Sequence, residues 1–303
     1  MIVRPPLHWL RALTAWRGSV LPGLIPRLSL VFALSLVALW LHDHRNWLLS
    51  PEPFGLIGIS LAVFLGFRNK AAYDRYWEGR KLWGQLLIAS RSLMRQALTF
   101  PQPACASPDA QAFGALLVAF AHALRHQLRG TDSHDDLHRL LPTELAMRIE
   151  AAPQRPAVLL LELSGWVQAR AREGAFDGYR MLAFDENFNR LSAALGGCER
   201  IDSTPMPFAY SVMIHRTVHF FCALLPFSLV GSLGSFTPLF SVFVAYTFTA
   251  IESLAAELEE PFGLDPNDLA LGALCIGIEN AVHALLGDGI EIALTRRRDF
   301  VVS

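Results

Sequence analysis

Residues 54–70 read FGLIGISLAVFLGFRNK. No charge interrupts residues 54–67, and Arg68-Asn69-Lys70 then stop the apolar run abruptly. A helix needs about 20 mainly apolar residues to cross a bilayer core. This run is shorter, so it is expected to pack among other helices. Ile59, Val63 and Phe67 follow one another at i, i+4 and i+8, which places them in one stripe along a helix. Two readings of the stripe are open. It is a core stripe, or it becomes stacked apolar rings if several copies set this helix around an axis, and such rings gate ions by dewetting. The same line continues to Ala71, Asp74 and Glu78. Those carboxylates either ring a cytoplasmic widening, where acidic rings favour cations, or pair with Arg75, Arg80 or Lys81 nearby.

Three further runs work outward from this one: Leu24–Leu41, Met206–Val230 and Phe236–Ile251. Gly231-Ser232-Leu233-Gly234-Ser235 joins the last two as a tight turn. Basic residues cluster at Arg4, Arg11, Arg17 and Arg27, again from Arg68 to Arg95, and at Arg296-Arg297-Arg298. With four spans, at about 24–41, 54–67, 206–230 and 236–251, all three clusters fall on one side. Both termini are then cytoplasmic by the positive-inside rule. The expectation is a multi-pass protein of a bacterial inner membrane, with no cleaved signal peptide. Helical cytoplasmic regions would cover about 71–200 and 258–303, and the whole chain, 1–303, would form a single domain.

Composition agrees. Hydrophobic residues make up 52% and charged residues 17%, short of the roughly 25% charged residues of a soluble domain. A net charge of −1 offers no basic field to nucleic acid. Cys105, Cys198, Cys222 and Cys275 are far apart and read as reduced structural thiols. No alternating strand pattern occurs, so the class is all-α. Residues 131–139 (TDSHDDLHR) read as a polar loop, and 157–172 and 179–195 as helices. Gly196-Gly197 reads as a helix break. Leu269–Leu286 reads as a packed cytoplasmic helix capped by Asp265 or Asp268, a fifth span being the alternative.

No phosphate cradle, dinucleotide fingerprint or nucleophile with its base is present, so no enzyme and no cofactor is expected. His215 and His219 share a helix face. The alternative reading is a membrane metalloenzyme, which Arg216 beside them opposes. Glu252, Glu257, Glu259 and Glu260 precede a turn and form only a weak calcium signal. A secondary transporter would need inverted repeats, and none is seen. A structural scaffold with a closed core is a further rival.

Five segments together resemble the bestrophin family in its bacterial branch: WRGSV (16–20), ISLAVFLGFRN (59–69), YDRYWEGRKLWG (73–84), CERIDSTPMPFAY (198–210) and EEPFGLDPND (259–268). They occur in family order along the chain. The resemblance implies a homopentameric ion channel with four membrane helices per subunit, its partners being copies of itself, lipid and small inorganic ions. It implies that Ile59, Val63 and Phe67 form the pore neck. It also implies a second constriction at the cytosolic exit, placed near Tyr179, with Met181 or Asp177 as the alternative positions. Animal members carry carboxylates after the PFG, where Leu264 and Pro266 stand here, so calcium activation is not expected. The middle neck position, aromatic in animal members, is Val63 here, which removes the positive ring edges that favour anions. With Asp74 and Glu78 below, the reading leans to small monovalent cations such as sodium, chloride being the alternative.

Overall fold

The computed structural model describes residues 16, 18–101 and 107–293. The described residues are helical, with no strand among them. We number the helices α1 (Leu21–Arg45), α2 (Glu52–Thr99), α3 (Ser107–Arg129), α4 (His134–Leu140), α5 (Thr143–Glu150), α6 (Arg155–Arg172), α7 (Gly178–Ser203), α8 (Phe208–Leu233), α9 (Thr237–Glu259) and α10 (Leu271–Leu286). The chain divides into two compact units. Of the described residues, the first holds those up to Tyr76 together with Pro205–Glu260. The second holds the described residues of 77–204 and of 261–293. The basic clusters at Arg4–Arg17 and Arg296–Arg298, and Cys105, lie outside the described residues.

In the first unit α1, α8 and α9 pack on one another. Its core joins Val31 of α1, Leu61 and Leu65 of α2, Ile214, Val218, Phe221, Cys222 and Leu225 of α8, and Ala245 of α9. Its outer faces stay apolar: Leu30, Phe32, Leu36, Trp40, Phe220, Leu239 and Phe243 are all exposed. Large apolar side chains standing in rows on a surface fit lipid better than water. Three stretches are long and apolar enough to cross a membrane: Leu21–Arg45, Glu52–Thr99 and Phe208–Glu259. The third is divided by a 3-10 turn at Gly234–Phe236, where the sequence suggested a tight turn. Gly234 there has φ +51°, a region a Cβ disfavours.

In the second unit α3 is the central helix. Every residue from Leu116 to Leu124 is buried, as expected of a helix apolar on all sides. α4, α6, α7 and α10 pack around it. α10 is thus a packed helix, and its Cys275 Sγ lies 3.4 Å from the carbonyl of Ala121.

Several local expectations are corrected. Residues 134–140 form a helix, not a loop, because Leu137 is fully buried. α7 runs straight through Gly196-Gly197, and a Cβ at Gly197 would lie 2.7 Å from Leu82 Cδ2. That glycine serves close approach of α2 and not a break. α10 starts at Leu271 without a side-chain cap. Asp268 instead closes its own turn, its Oδ2 accepting from the Asp265 amide at 2.8 Å.

Candidate pore-lining site

α2 presents two opposite faces within the first unit. Leu61, Leu65, Arg68 and Ala72 are buried, at a spacing of four, three and four residues. A helix turns about 100° per residue, so positions two residues before or after a buried one point about 160° away from it. Ile59, Val63 and Phe67 hold those positions and are exposed by 67%, 52% and 67%. They are not core residues of the protomer, and the core-stripe reading is corrected. The three span about 12 Å along the axis.

Charge fixes the rotation of the helix. Arg68 is 4% exposed. Its Nη2 reaches Glu259 Oε2 at 3.3 Å and its Nη1 reaches Glu252 Oε1 at 3.5 Å. Arg75 Nε donates to the Glu259 carbonyl at 3.0 Å. Asn69 Nδ2 donates to the carbonyls of Leu65 and Ile251 at 3.0 and 3.2 Å. Arg68, Asn69 and Arg75, past one end of the apolar run, therefore tie α2 to α9. Buried charges tolerate little displacement from their partners, so the opposite stripe is held outward.

The two carboxylates below the stripe have partners, though not those expected from the sequence. Asp74 Oδ1 accepts from Lys70 Nζ at 2.6 Å. Glu78 pairs with Arg200 of α7. Each carboxylate is thus charge-matched within the protomer. Tyr179 belongs to the second unit, is the second residue of α7 and is 88% exposed. Asp177 caps that helix, its Oδ1 accepting from the Arg180 amide at 2.8 Å. Met181 is also exposed.

The His215 and His219 rings lie with centroids 4.1 Å apart, inclined at 43°. His219 Nδ1 donates to the His215 carbonyl at 2.7 Å. His215 Nδ1 bonds Glu252 at 3.1 Å, a carboxylate shared with Arg27 and Arg68. These rings are engaged in helix ties, and no third ligand completes a metal cluster with them among the described residues.

Sequence reasoning missed a buried charge network in the second unit. Glu279 of α10 takes Arg139 Nη1 and Nη2 at 2.5 and 3.1 Å and His122 Nε2 at 3.3 Å. Asp136 takes Arg125 at 2.7 Å and His126 at 2.9 Å. Burial pushes the Glu279 carboxyl up, but the bonds from His122 and Arg139 outweigh it and hold it at about 2. Burial lowers His122, yet Asp136 and Glu279 overcome that and raise it. Burial pushes the Cys198 and Cys275 thiols up to about 12, as expected of inert structural cysteines.

Residues 1–284 match the family model described as bacterial/fungal bestrophin protein. This chain belongs to the bestrophin family. The bestrophins are ion-channel proteins and not enzymes. Among relatives of this bestrophin, the voltage-dependent anion channel-forming protein RSc3414 of Ralstonia nicotianae is 60% identical over 293 residues, 95% of each chain. The voltage-dependent anion channel-forming protein YneE of Escherichia coli is 44% identical over 283 residues, 92% of each. A crystal structure of a bacterial bestrophin homolog from Klebsiella pneumoniae has a TM-score of 0.84 at 41% identity. It covers 87% of this chain and 98% of that one.

Proposed function

We propose that this bestrophin is the pore-forming subunit of a homopentameric channel that passes small monovalent ions passively through an apolar neck. Each subunit would contribute four membrane helices: α1, the first part of α2, α8 and α9. The spans lie at about 24–41, 54–67, 206–230 and 236–251 of a single bestrophin-like domain. It would sit in a bacterial inner membrane with both termini cytoplasmic. The observation that carries this reading is the exposed stripe Ile59, Val63 and Phe67, opposite a face anchored by Arg68. Exposed apolar side chains in a row need a neighbour. Copies of α2 around an axis would turn them into three stacked rings. Such rings conduct when wide and exclude water when narrow. Tyr179, exposed at the start of α7, is the proposed exit constriction.

The sign of the ion has support on both sides. Val63 lacks the aromatic edges that favour anions, which leans the neck toward sodium-like cations. Asp74 and Glu78 add less to that lean than the sequence suggested, because Lys70 and Arg200 match their charge. The second reading, a chloride or other anion channel of the same architecture, is favoured by the names of the relatives, which call them anion channel-forming proteins. Reversal potentials of the reconstituted channel under asymmetric NaCl separate the two. A shift to the sodium potential supports the first, and a shift to the chloride potential supports the second. Absence of any channel current from reconstituted protein overturns both.

A further inference from the structure

The second unit carries a cluster that the neck does not use. His134 opens α4 and His138 follows one turn later on the same face. Their ring centroids lie 4.3 Å apart, inclined at 43°. Glu150 ends α5 and its carboxylate reaches both rings. Its Oε1 is 2.8 Å from His134 Nδ1, and its Oε2 is 3.4 Å from His138 Nε2. One nitrogen or oxygen from each of the three residues lies within 4.8 Å of the others.

The frame around the cluster stands independently of these contacts. Leu137 and Ile149 are fully buried and fix α4 and α5 from below. Arg155 clamps both sides of the cluster. Its Nη1 donates to Ser133 Oγ at 3.0 Å, next to His134, and its Nε donates to the Glu150 carbonyl at 3.4 Å. The His134 amide donates to Asp132 Oδ1 at 3.0 Å. The backbone that carries all three side chains is thus set by neighbours that are not part of the cluster.

We propose that His134, His138 and Glu150 form a binding site for a divalent transition-metal ion of the zinc type, with a fourth position open to water. Two imidazole nitrogens and one carboxylate oxygen are a zinc donor set. Calcium and magnesium want oxygen alone, so they are disfavoured. Metal–ligand bonds of about 2.0–2.1 Å place tetrahedral ligand atoms about 3.3–3.5 Å apart. His134 Nδ1 and Glu150 Oε1 already lie 2.8 Å apart, and one ligand atom from each of the three residues lies within 4.8 Å of the others, so side-chain rotation can bring the set to that spacing. The ion would replace two histidine–carboxylate hydrogen bonds and link α4 to α5.

The test uses the full chain in detergent, free of any histidine tag and stripped of metal. Zinc chloride is titrated calorimetrically, and bound zinc is counted by mass spectrometry after dialysis. The expected result is one zinc per subunit, with affinity at least tenfold weaker in His138→Ala and in Glu150→Gln. His215→Ala should leave it unchanged. Cobalt loaded in place of zinc should give the visible bands of a four-coordinate ion, lost in His138→Ala. Glu150→Gln keeps the side chain's shape, so it carries the comparison if His138→Ala lowers the melting temperature of the metal-free protein. Failure of the wild type to retain zinc overturns the proposal. So does zinc retained equally by both variants.

Discussion

Arg68 Nη2 and Glu259 Oε2 lie 3.3 Å apart, although 191 residues separate them in the chain. Both side chains are withdrawn from solvent, with 5% and 13% of their side-chain surface accessible. Removing one partner strands the other, at a cost of about 3–5 kcal/mol. Arg68→Ala should therefore lower the melting temperature of the detergent-solubilised protein by many degrees. Arg68→Lys should recover only part, since one ammonium cannot serve Glu252 and Glu259 as a planar guanidinium does. Unchanged melting of Arg68→Ala would mean that the pair does not orient α2.

The opposite face behaves differently. Val63→Ala and Phe67→Ala remove exposed side chains, and surface changes are usually within about 0.5 kcal/mol. Their melting temperatures should stay near wild type while single-channel conductance or open probability rises severalfold. Leu65→Ala, on the buried face, should cost about 2–5 kcal/mol. A scaffold with a closed core predicts the reverse, with stability lost and flux untouched.

Acid should weaken the second unit through Glu279. Its carboxyl is lowered in the fold, from 4.5 to about 2. A lowered carboxyl stabilises the fold above its unfolded value, and that contribution drains as pH falls through the folded value. The melting temperature should thus decline between about pH 4.5 and 2. Arg139 is half exposed, so water screens part of the effect, on the order of 1–3 kcal/mol. Glu279→Gln should melt lower at pH 7 and show a flatter decline in acid. A decline as steep in Glu279→Gln as in the wild type would assign it to other carboxyls.

Gly197 tests the close approach inside the second unit. A Cβ there would meet Leu82 Cδ2 and Cδ1 at 2.7 and 2.8 Å. Gly197→Val should cost about 1–3 kcal/mol by overpacking, read from urea unfolding. Gly196→Val, with nothing within 4 Å of its Cβ, should cost less. Equal losses would point to helix propensity instead.

The apolar helices and the spacing of the stripe were legible in the sequence, because apolar run length and a spacing of four are local properties. Which face of α2 turns inward was not local. Leu61 and Leu65 are as apolar as Ile59 and Val63, and the choice falls to Arg68 finding Glu252 and Glu259 on α9. α4 was missed because Leu137 is its one deeply buried side chain, too few to show a period. The His134, His138 and Glu150 cluster was missed with it, although the two histidines stand four apart. The partner of Glu78 was missed because Arg200 lies 122 residues on, beyond any i, i+4 rule.

The central claim is that copies of α2 surround the ion path with Val63 in its wall. Val63→Cys, recorded in a lipid bilayer while a charged, membrane-impermeant methanethiosulfonate is added, tests it most directly. Cys198, Cys222 and Cys275 are buried, and Cys105 can be replaced by serine to clear the background. The account predicts that current through Val63→Cys is altered irreversibly by the reagent, and that Leu65→Cys is untouched. Current through Val63→Cys that ignores the reagent, beside a Leu65→Cys that responds, would contradict it.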